Sequence, residues 1–427
     1  MAEASIRRVA VLGGVRIPFC RSHTAYAELT NLDMLSAALG GLVDRFALHG
    51  THIDEVVGGA VVTHAKDWNL AREAVIGSQL APTTPAITMM QACGTSLQGA
   101  LGLGAKIATG QIECGIALGS DTTSDAPVVF QRRFAQRLIQ ASRARGFGEK
   151  LSAFKGFMPG ELAPQPPLTS EPRTGLSMGE HCELMAKEWG ITREAQDLLA
   201  YESHKKAAAA YDEGFMDGLV VPCAGVFRDN NIREDISLEK MAELKPVFDR
   251  TGGTITAANS TPLTDGAATV LLASEDWAAK KGLPVQAFLT IGRTSAVDFV
   301  HGEGLLMAPT VAVSDLLRQT GLALQDFDYY EIHEAFAAQV LATLKAWESE
   351  DYCRRRLGRS EPLGSIDRTR LNVKGSSIAF GHPFAATGAR IVAVLAKLLQ
   401  SKSRGRGLIS VCTAGGMGVA AILEGPK

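Results

Sequence analysis

The chain has 427 residues, of which 46% are hydrophobic and 21% are charged, and its formal net charge at pH 7 is −2. This length accommodates two or three domains and a large buried core. A net charge so close to zero gives no indication of a nucleic-acid partner, and no apolar run approaches the ~20 residues that a membrane-spanning helix needs.

Seven cysteines are scattered along the chain, at positions 20, 93, 114, 182, 223, 353 and 412. None of them forms a Cys-x-x-Cys pair, so neither a zinc site nor a thioredoxin-like motif is predicted. Free thiols indicate a reducing compartment. Because the first predicted strand begins almost at once, at Val9, it leaves no room for a signal peptide, and we expect a cytoplasmic protein.

The first 120 residues alternate strand and helix patterns, which indicates an α/β architecture with helices packed on a sheet. Apolar runs predict the strands, and amphipathic or small-residue stretches predict the helices. In chain order the predicted elements are a strand over Val9–Leu12, an amphipathic helix over Met34–Phe46, a doubly covered strand over Val56–Val62, a buried helix over Ser96–Thr109 and a strand over Gly115–Gly119.

The composition changes between residues 121 and 250, which predicts a segment inserted into the sheet core. Within it, residues 130–155 carry five arginines and two lysines against one acidic residue, Glu149, and they include several phenylalanines. We hypothesise that this basic stretch contacts an anionic surface, whether a partner subunit, the phosphates of a ligand or a membrane. The alternative is a solvated helix face. A long polar helix is predicted over Thr192–Glu213, and α/β patterning returns near Thr254.

Two segments that lie 289 residues apart repeat one pattern. Cys93-Gly-Thr-Ser-Leu-Gln-Gly-Ala100 and His382-Pro-Phe-Ala-Ala-Thr-Gly-Ala389 each precede a small-residue helix. Each helix is followed by two predicted strands, which are Gly115–Gly119 and Gly266–Leu272 in the first half and Leu408–Cys412 and Gly418–Leu423 in the second. The period is far too long for a solenoid. It predicts two duplicated α/β halves whose matching helix starts face one cleft.

The helix starts carry the first two candidate catalytic residues. Cys93 lies where unpaired N–H groups and the positive end of the helix dipole favour a thiolate. His382 lies just before the matching helix, and Pro383 suits the first turn of that helix. A histidine across the cleft could take the proton of the cysteine and return it later. Taken alone, each residue has a structural alternative: a buried apolar thiol for Cys93 and a helix cap for His382.

Two further polar positions follow predicted strands. Cys412 runs into Thr-Ala-Gly-Gly-Met-Gly418, whose backbone N–H groups could face an oxyanion while the thiol acts as acid and base. His333 stands where a strand gives way to a helix, which is a usual place for site residues in α/β proteins. It could hold a water molecule or donate to a developing negative charge, and a hydrogen-bonded structural histidine is the alternative.

Taken together, these segments resemble the thiolase family over essentially the whole chain. The sequence of Asn372–Arg390, which contains Gly-His-Pro-Phe-Ala-Ala-Thr-Gly, is similar to the C-terminal thiolase signature, and residues 412–418 are similar to the signature of the second catalytic cysteine. The His-Glu-Ala-Phe segment together with Cys-x-Ala-Gly-Gly resembles the branch that forms β-subunits of fatty-acid oxidation complexes. Many thiolases instead have Asn at the position of His333 and Gly at that of Ala414.

The resemblance implies the five-layer αβαβα thiolase fold, with two duplicated α/β halves and an inserted loop domain. Residues 1–120 with 251–280 would form the N-terminal half, and residues 281–427 the C-terminal half. Residues 121–250 would form the loop domain, which binds coenzyme A (CoA).

The same resemblance implies a 3-ketoacyl-CoA thiolase of fatty-acid β-oxidation, an acetyl-CoA C-acyltransferase. Cys93 would be the acylated nucleophile, His382 the base, and Cys412 the acid that protonates the departing acetyl-CoA enolate. The backbone N–H groups of Cys93 and Ala414 would form an oxyanion hole, and His333 would hold a water molecule near the enolate oxygen. No metal or bound cofactor is expected, because the thioester already acidifies its α-carbon, and CoA is a co-substrate.

For CoA itself, the resemblance places Met178 near the thioester and pantetheine end and Arg233 near the adenine. Ser260 and Thr261 would contact the pantetheine arm.

Several alternatives stay open. The chain could be an acetyl-CoA acetyltransferase that forms acetoacetyl-CoA. It could also be a β-ketoacyl synthase, a family that shares the duplicated fold but lacks the second cysteine. A third alternative is a non-catalytic protein that binds acyl-CoA or sterols. Thiolases usually form dimers or dimers of dimers, so we expect a homodimer or homotetramer. The branch resemblance also implies a hydratase/3-hydroxyacyl-CoA dehydrogenase subunit as a partner, and residues 130–155 as a peripheral membrane contact. Chain-length preference cannot be derived from the sequence.

Overall fold

The computed structural model describes residues 6–402 and 404–426. The first part of the chain alternates strands and helices, as predicted. Its elements are β1 (Val9–Arg16), β2 (Cys20–Arg21), α1 (Asn31–Arg45), β3 (Glu55–Gly59), α2 (Leu70–Ile76), β4 (Ala86–Thr88), α3 (Thr95–Ala108) and β5 (Cys114–Asp121). Every residue of β1 and β5 is buried, which is expected of strands covered on both faces. Helix α1 begins at a reciprocal capping box between Thr30 and Asp33.

The chain then leaves the sheet. The elements of this excursion are β6 (Val129–Phe130), α4 (Arg132–Arg143), α5 (Phe147–Ser152), a 3-10 turn (Pro159–Leu162), β7 (Pro164–Gln165), α6 (Met178–Glu188), α7 (Arg193–Asp212) and α8 (Leu238–Ala242). Strands β6 and β7 pair with each other, in a small sheet of their own. The predicted polar helix is confirmed as α7, and the side chain of Thr192 caps its N-terminus.

The second part of the chain returns to the sheet. Its elements are β8 (Thr264–Ser274), α9 (Glu275–Lys281), β9 (Ala287–Ala296), a 3-10 turn (Phe299–His301), α10 (Ala308–Thr320), β10 (Tyr329–Ile332), α11 (Ala337–Glu348), α12 (Glu350–Leu357), a 3-10 turn (Arg368–Arg370), α13 (Ser377–Phe380), a 3-10 turn (Phe384–Ala386), α14 (Thr387–Gln400), β11 (Arg406–Thr413) and β12 (Met417–Glu424).

The two halves repeat one sheet topology. The strand order is β3-β5-β8-β1 in the first half and β10-β11-β12-β9 in the second. In both halves the first pair is parallel and the next two pairs are antiparallel. The half-sheets join where β1 pairs with β9, and β4 extends the first half beyond β3. The predicted duplication is therefore confirmed.

The packing along single strands shows five layers. In β1, Val9 and Val11 join the core that contains α3 and α14, whereas Ala10 and Leu12 join the core that contains α1. Strand β12 alternates in the same way between the central helices and α10. Because successive side chains of a strand point to opposite faces, α3 and α14 lie between the half-sheets, with α1 and α10 on the outer faces. The predicted αβαβα fold is confirmed.

The two central helices approach each other very closely at their N-terminal ends. A Cβ atom added to Gly388 would lie 2.3 Å from the backbone nitrogen of Leu97. The Oγ atom of Ser96 donates to the carbonyl of Ala385 at 2.5 Å and accepts the N–H of Ala389 at 2.8 Å. These contacts hold the two repeated segments together at the centre of the molecule.

The predicted strand over Val56–Val62 is too long, because β3 ends at Gly59. The chain turns there so that the N–H groups of Val61 and Val62 can donate to the buried carboxylate of Asp121, at 2.9 and 2.8 Å. The three domain boundaries stay predictions, and residues 1–5, 403 and 427 of those domains lie outside the described residues. Among the described residues, every helix is too short or too polar to cross a bilayer.

Candidate active site

Cys93 lies in a tight turn just before α3. Ala92, the preceding residue, has a φ of 46°, which is a strained value for a residue with a side chain. The hydroxyl of Thr95 holds the turn, since it donates to the carbonyl of Ala92 at 2.7 Å and accepts the N–H of Gln91 at 2.8 Å. The thiol side chain is 7% exposed. The turn therefore presents one nearly buried sulfur at the end of a central helix.

His382 faces this sulfur across the contact between the two halves. The distance from its Nε2 atom to the Sγ atom of Cys93 is 3.1 Å, and its Nδ1 atom lies 2.6 Å from the Oγ1 atom of Thr387. The predicted juxtaposition of these two residues is present. The prediction that Pro383 lies in the first turn of the helix is wrong, because Pro383 precedes a separate 3-10 turn and α14 begins only at Thr387.

Burial shifts the pKa of the cysteine and that of the histidine in opposite directions, and each shift favours the neutral side chain. Burial raises the pKa of Cys93 to about 12, although the backbone N–H of Ala414 donates to the sulfur and acts in the opposite direction. Burial lowers the pKa of His382 to about 3, and the guanidinium of Arg390 adds to this effect. Desolvation thus opposes the stabilisation of a thiolate that the helix start offers, and a base is needed to take the proton of Cys93.

His333 lies beside His382, immediately after β10, and their ring centroids are 4.1 Å apart. Its backbone N–H donates to the carbonyl of Ser410 at 2.8 Å, and its Nδ1 atom lies 2.7 Å from the Oγ atom of Ser377. The Nε2 atom is buried and has no hydrogen-bond partner among the described residues. It is therefore free to bind a substrate atom or a water molecule.

Cys93, His333 and His382 are also the residues that could hold a metal ion. One ligand atom from each lies within 4.8 Å of the other two. A thiol and two imidazoles suit a tetrahedral zinc ion. The expectation that catalysis needs no metal rests on the chemistry of the thioester and stays a prediction.

Cys412 and Ala414 complete the cluster from the second half. Cys412 lies in β11 and is buried, and burial together with the nearby Cys93 raises the pKa of its thiol well above the usual range. The turn that follows contains two residues with positive φ, Gly415 and Gly416. The N–H of Gly415 donates to a carboxylate oxygen of Glu171 at 2.9 Å. The inserted segment thus holds the turn that directs the N–H of Ala414 toward Cys93.

The four residues predicted to contact CoA lie on loops and on one helix start. Met178 is the first residue of α6 and packs against the apolar cluster that includes Cys412. The hydroxyl of Ser260 donates to the carbonyl of Thr256 at 2.6 Å, and that of Thr261 donates to the carbonyl of Ala335 at 3.2 Å. Both hydroxyl protons are therefore used within the protein.

Arg233 is half-buried, and one Nη atom lies 3.4 Å from the carbonyl of Ala257. Its backbone N–H donates to the Nδ1 atom of His204 at 3.1 Å. Through Ala257, the loop of Arg233 lies against the segment that contains Ser260 and Thr261. The three predicted contacts are thus close in space, while their roles toward CoA stay predictions.

Sequence reasoning missed the polar residues that orient the two imidazoles: Thr387, Ser377 and Arg390. All three lie inside the Asn372–Arg390 signature. Arg390 carries a detectable signal, because it is a charged residue in the apolar first half of α14, where it is 1% exposed. A buried arginine needs polar partners, and those partners are expected near the site.

Comparisons with known proteins agree with this geometry. The family model "Thiolase, N-terminal domain" matches residues 9–276, and "Thiolase, C-terminal domain" matches residues 287–425. The chain is similar to the 3-ketoacyl-CoA thiolase of Shewanella woodyi, with 41% identity over 98% of this chain and 97% of that protein. It is 40% identical to the protein of the same name from Serratia proteamaculans, over 98% and 97% of the two chains.

Two solved structures are also similar. The acetyl-CoA acetyltransferase of Bacillus anthracis superposes with a TM-score of 0.81 and 28% identity, over 99% of this chain and 100% of that chain. A thiolase of Ascaris suum in complex with coenzyme A superposes with a TM-score of 0.79 and 28% identity, over 98% and 100% of the two chains.

Proposed function

Because this chain belongs to the thiolase family, we propose that it is a 3-ketoacyl-CoA thiolase, an acyltransferase that cleaves a 3-ketoacyl-CoA with free CoA. The products are acetyl-CoA and an acyl-CoA shortened by two carbons. One observation carries the proposal: the 3.1 Å contact between Cys93 and His382, in the cluster that also contains Cys412 and the N–H of Ala414.

The first half-reaction transfers the acyl group to the enzyme. His382 takes the proton of Cys93 through Nε2 as the sulfur attacks the 3-keto carbon. The bond between the α-carbon and that carbon breaks, and the electron pair leaves as the enolate of acetyl-CoA. Cys412 donates its proton to the enolate carbon, which releases acetyl-CoA and leaves an acyl thioester on Cys93.

The second half-reaction transfers the acyl group to CoA. The proton on His382 passes to the thiolate of Cys412, so that neutral His382 can deprotonate the incoming CoA. The CoA thiolate attacks the acyl thioester, and Cys93 leaves and recovers its proton from His382. The net result is that the proton given up by CoA replaces, on the enzyme, the proton that Cys412 delivered to the methyl group of acetyl-CoA.

Both half-reactions place negative charge on oxygen. The N–H groups of Cys93 and Ala414 would stabilise the tetrahedral oxyanion, and His333 with His382 would stabilise the enolate oxygen, directly or through water. A single donor of this kind contributes ~3–4 kcal/mol to barrier lowering. The low pKa of His382 keeps its Nε2 atom available as a base at neutral pH.

We propose that CoA lies between the inserted segment and the loop of Ser260 and Thr261, with Met178 near the thioester and Arg233 near the adenine end. The half-buried guanidinium of Arg233 supports this, since within the described residues its side-chain hydrogen bond goes to the carbonyl of Ala257 and not to a carboxylate, and it could bind a phosphate or a purine. Ser260 and Thr261 would contact CoA through their methylene and methyl groups, because their hydroxyl protons are used elsewhere.

The test is thiolysis of 3-ketoacyl-CoA substrates of four to sixteen carbons by the purified protein, with kcat/KM determined for each. We expect cleavage that is lost in Cys93→Ser. Activity confined to the four-carbon substrate would favour an acetyl-CoA acetyltransferase, and condensing activity retained by Cys412→Ala would favour a β-ketoacyl synthase. Binding of acyl-CoA without any turnover would favour the non-catalytic alternative.

We also propose a homodimer or homotetramer. The short edge strand β4 supports this, because it exposes Ile87 and the sequence after it exposes Met90, at 48% and 62% of their surfaces. The seven cysteines are all unpaired, which supports a cytoplasmic location. Light scattering and cell fractionation would test these two points.

We also propose that residues 130–155 contact a membrane, but without the participation of Arg137. Phe147 and Leu151 are exposed beside basic side chains, but Arg137 is not available, because it pairs with Glu161 at 2.7 Å. Replacing three exposed arginines, Arg132, Arg133 and Arg143, with Glu should abolish binding to anionic vesicles. The proposed hydratase/3-hydroxyacyl-CoA dehydrogenase partner rests on the branch resemblance and would be tested by copurification.

A further inference from the structure

The Nδ1 atom of each active-site imidazole is hydrogen-bonded to a different hydroxyl group. His382 contacts Thr387 through Nδ1, and His333 contacts Ser377 through Nδ1. The Nε2 atom of His382 lies 3.1 Å from the sulfur of Cys93, and the Nε2 atom of His333 is buried and unpartnered among the described residues. In the proposed mechanism these Nε2 atoms need opposite properties, since His382 must accept a proton and His333 must donate a hydrogen bond.

Ser377 receives a hydrogen bond that limits what its own proton can do. The Nη2 atom of Arg390 donates to the Oγ atom of Ser377 at 2.7 Å, and the Nη1 atom donates to the Oγ atom of Ser376 at 3.3 Å. A guanidinium has five donors and no acceptor, so Ser377 cannot donate back to it. Among the described residues, the acceptor that remains for the hydroxyl proton of Ser377 is the Nδ1 atom of His333.

We propose that Arg390, acting through Ser377, is a positioning residue that holds His333 in the tautomer with its proton on Nε2. Ser377 donates to Nδ1, so the ring must carry its single proton on the atom that faces the substrate. The opposite tautomer would place an Nδ1–H against Ser377 and leave a buried hydroxyl proton without an acceptor, which disfavours it by at least ~10-fold. The inference rests on the proposed function, because it assigns the donor that the enolate oxygen would meet.

The positive charge of Arg390 favours a neutral His333, and its hydrogen bond to Ser377 favours one tautomer of that neutral ring. Arg390 is 1% exposed, and burial lowers its pKa to about 10, so it stays charged at neutral pH. Burial is the largest cause that lowers the pKa of both His333 and His382; Arg390 is the next cause for His382, and for His333 it follows the neighbouring His382. Two acidic residues, Glu331 and Glu334, raise the pKa of Arg390 from the side of β10, but burial raises the pKa of both carboxyl groups, to about 8 for Glu331, so Glu331 carries little negative charge at neutral pH. Both rings are therefore kept neutral, which is the state in which a tautomer can be chosen.

The direct test is imidazole nitrogen-15 NMR of the full-length protein without substrate. The signals of His333 are assigned by their loss in His333→Gln, and the tautomer is read from which ring nitrogen carries the proton. We expect His333 to be more than 90% protonated on Nε2, which corresponds to the ~10-fold preference above. A proton on Nδ1 of His333 would overturn the proposal, whatever the catalytic activity is.

Two replacements of Arg390 separate this role from simple core packing. Arg390→Lys keeps a side chain that only donates, and it should keep the tautomer. Arg390→Gln supplies an amide oxygen to which Ser377 can donate, so His333 should gain a measurable Nδ1–H population. If Arg390→Gln does not fold, Ser377→Ala tests the same point with a smaller change, because it removes the hydroxyl that donates to Nδ1. An unchanged Nδ1 signal in Ser377→Ala would overturn the proposal.

Kinetics give an independent readout. Complete loss of one oriented donor costs ~10²-fold in kcat. We therefore expect kcat of Arg390→Gln to fall in proportion to the Nε2–H population that remains by NMR, with little change in KM, and Arg390→Lys to restore it. In a His333→Ala background, Arg390→Gln should have no further effect on kcat. Additive losses in the double variant would show that Arg390 acts independently of His333 and would overturn the proposal. Absence of thiolase activity together with the expected tautomer would instead contradict the proposed function alone.

Discussion

Replacement of Gly388 by alanine should separate the catalytic pair without touching either catalytic side chain. Gly388 lies in the first turn of α14, where it faces the first turn of α3. An added Cβ atom would lie 2.3 Å from the backbone nitrogen of Leu97 and 2.7 Å from its Cβ atom. Neither atom can rotate out of the way, so the two helices must move apart.

The size of the movement follows from these distances. Ordinary contact with a Cβ atom begins near 3.4 Å, so the helices must separate by about 1 Å at this point. Cys93 lies two residues before α3, and His382 lies before the 3-10 turn that leads into α14, so the separation should lengthen their contact from 3.1 Å. A misplacement of about 1 Å can cost ~10²-fold in rate. Overpacking of this kind also costs ~1–3 kcal/mol in free energy of unfolding.

The assay is kcat for thiolysis measured beside the thermal midpoint of unfolding. Gly102→Ala is the matched control, because it adds the same methyl group to α3 at a position with no other atom within 4 Å. Alanine is favoured over glycine in a helix by ~0.5–1 kcal/mol, so the control should have wild-type kcat and a slightly higher midpoint. A folded Gly388→Ala protein with wild-type kcat would refute the reasoning.

Three further changes test other parts of the molecule. Cys412→Ala should lower the rate of thiolysis by ~10²–10⁴-fold. Transfer of an acetyl group to Cys93, measured as label exchange between acetyl-CoA and CoA, should continue in this variant. Equal loss of the two activities would contradict the assigned role of Cys412. Burial lowers the pKa of His382 to about 3, so below the unfolded value of ~6.5 the unfolded chain binds a proton here that the folded protein does not, and the folded protein loses stability as the pH falls. When the free energy of unfolding is measured with denaturant, it should fall by about 2 kcal/mol less in His382→Gln than in the wild type between about pH 7.5 and pH 5. Equal decreases in the two proteins would show that His382 is not the cause. Arg137→Ala removes an ion pair and three backbone contacts that tie α4 to the sequence after it, so limited proteolysis within residues 130–162 should accelerate. Arg133→Ala is the exposed control and should be cut at the wild-type rate.

The sequence was sufficient for the parts of the fold that depend on local pattern and on repetition. The small-residue helices after Cys93 and His382 recur 289 residues apart, and that recurrence was enough to predict two facing helix starts. The prediction failed where the end of an element depends on a hydrogen-bond partner that is distant in the sequence. Strand β3 ends early because two N–H groups turn toward Asp121, which lies at the end of another strand.

The same limit applies within the site. Residue type and position were enough to select Cys93, His333, His382 and Cys412, but not their ionisation or orientation. The helix start indicated only that a thiolate is favoured at Cys93, whereas the degree of burial that raises the pKa of Cys93 is a property of the whole packed molecule. The hydroxyl groups behind the imidazoles lie in the recognised signature, yet only the folded backbone shows which ring nitrogen each one contacts.

The most direct measurement is the mass of the peptide that contains Cys93 after rapid mixing with a 3-ketoacyl-CoA and acid quench in the absence of free CoA. The proposed function predicts that this peptide gains the mass of the shortened acyl group, that Cys93→Ser gains none, and that added CoA removes the modification. An unmodified peptide in a sample that releases acetyl-CoA would contradict an acyl-enzyme on Cys93.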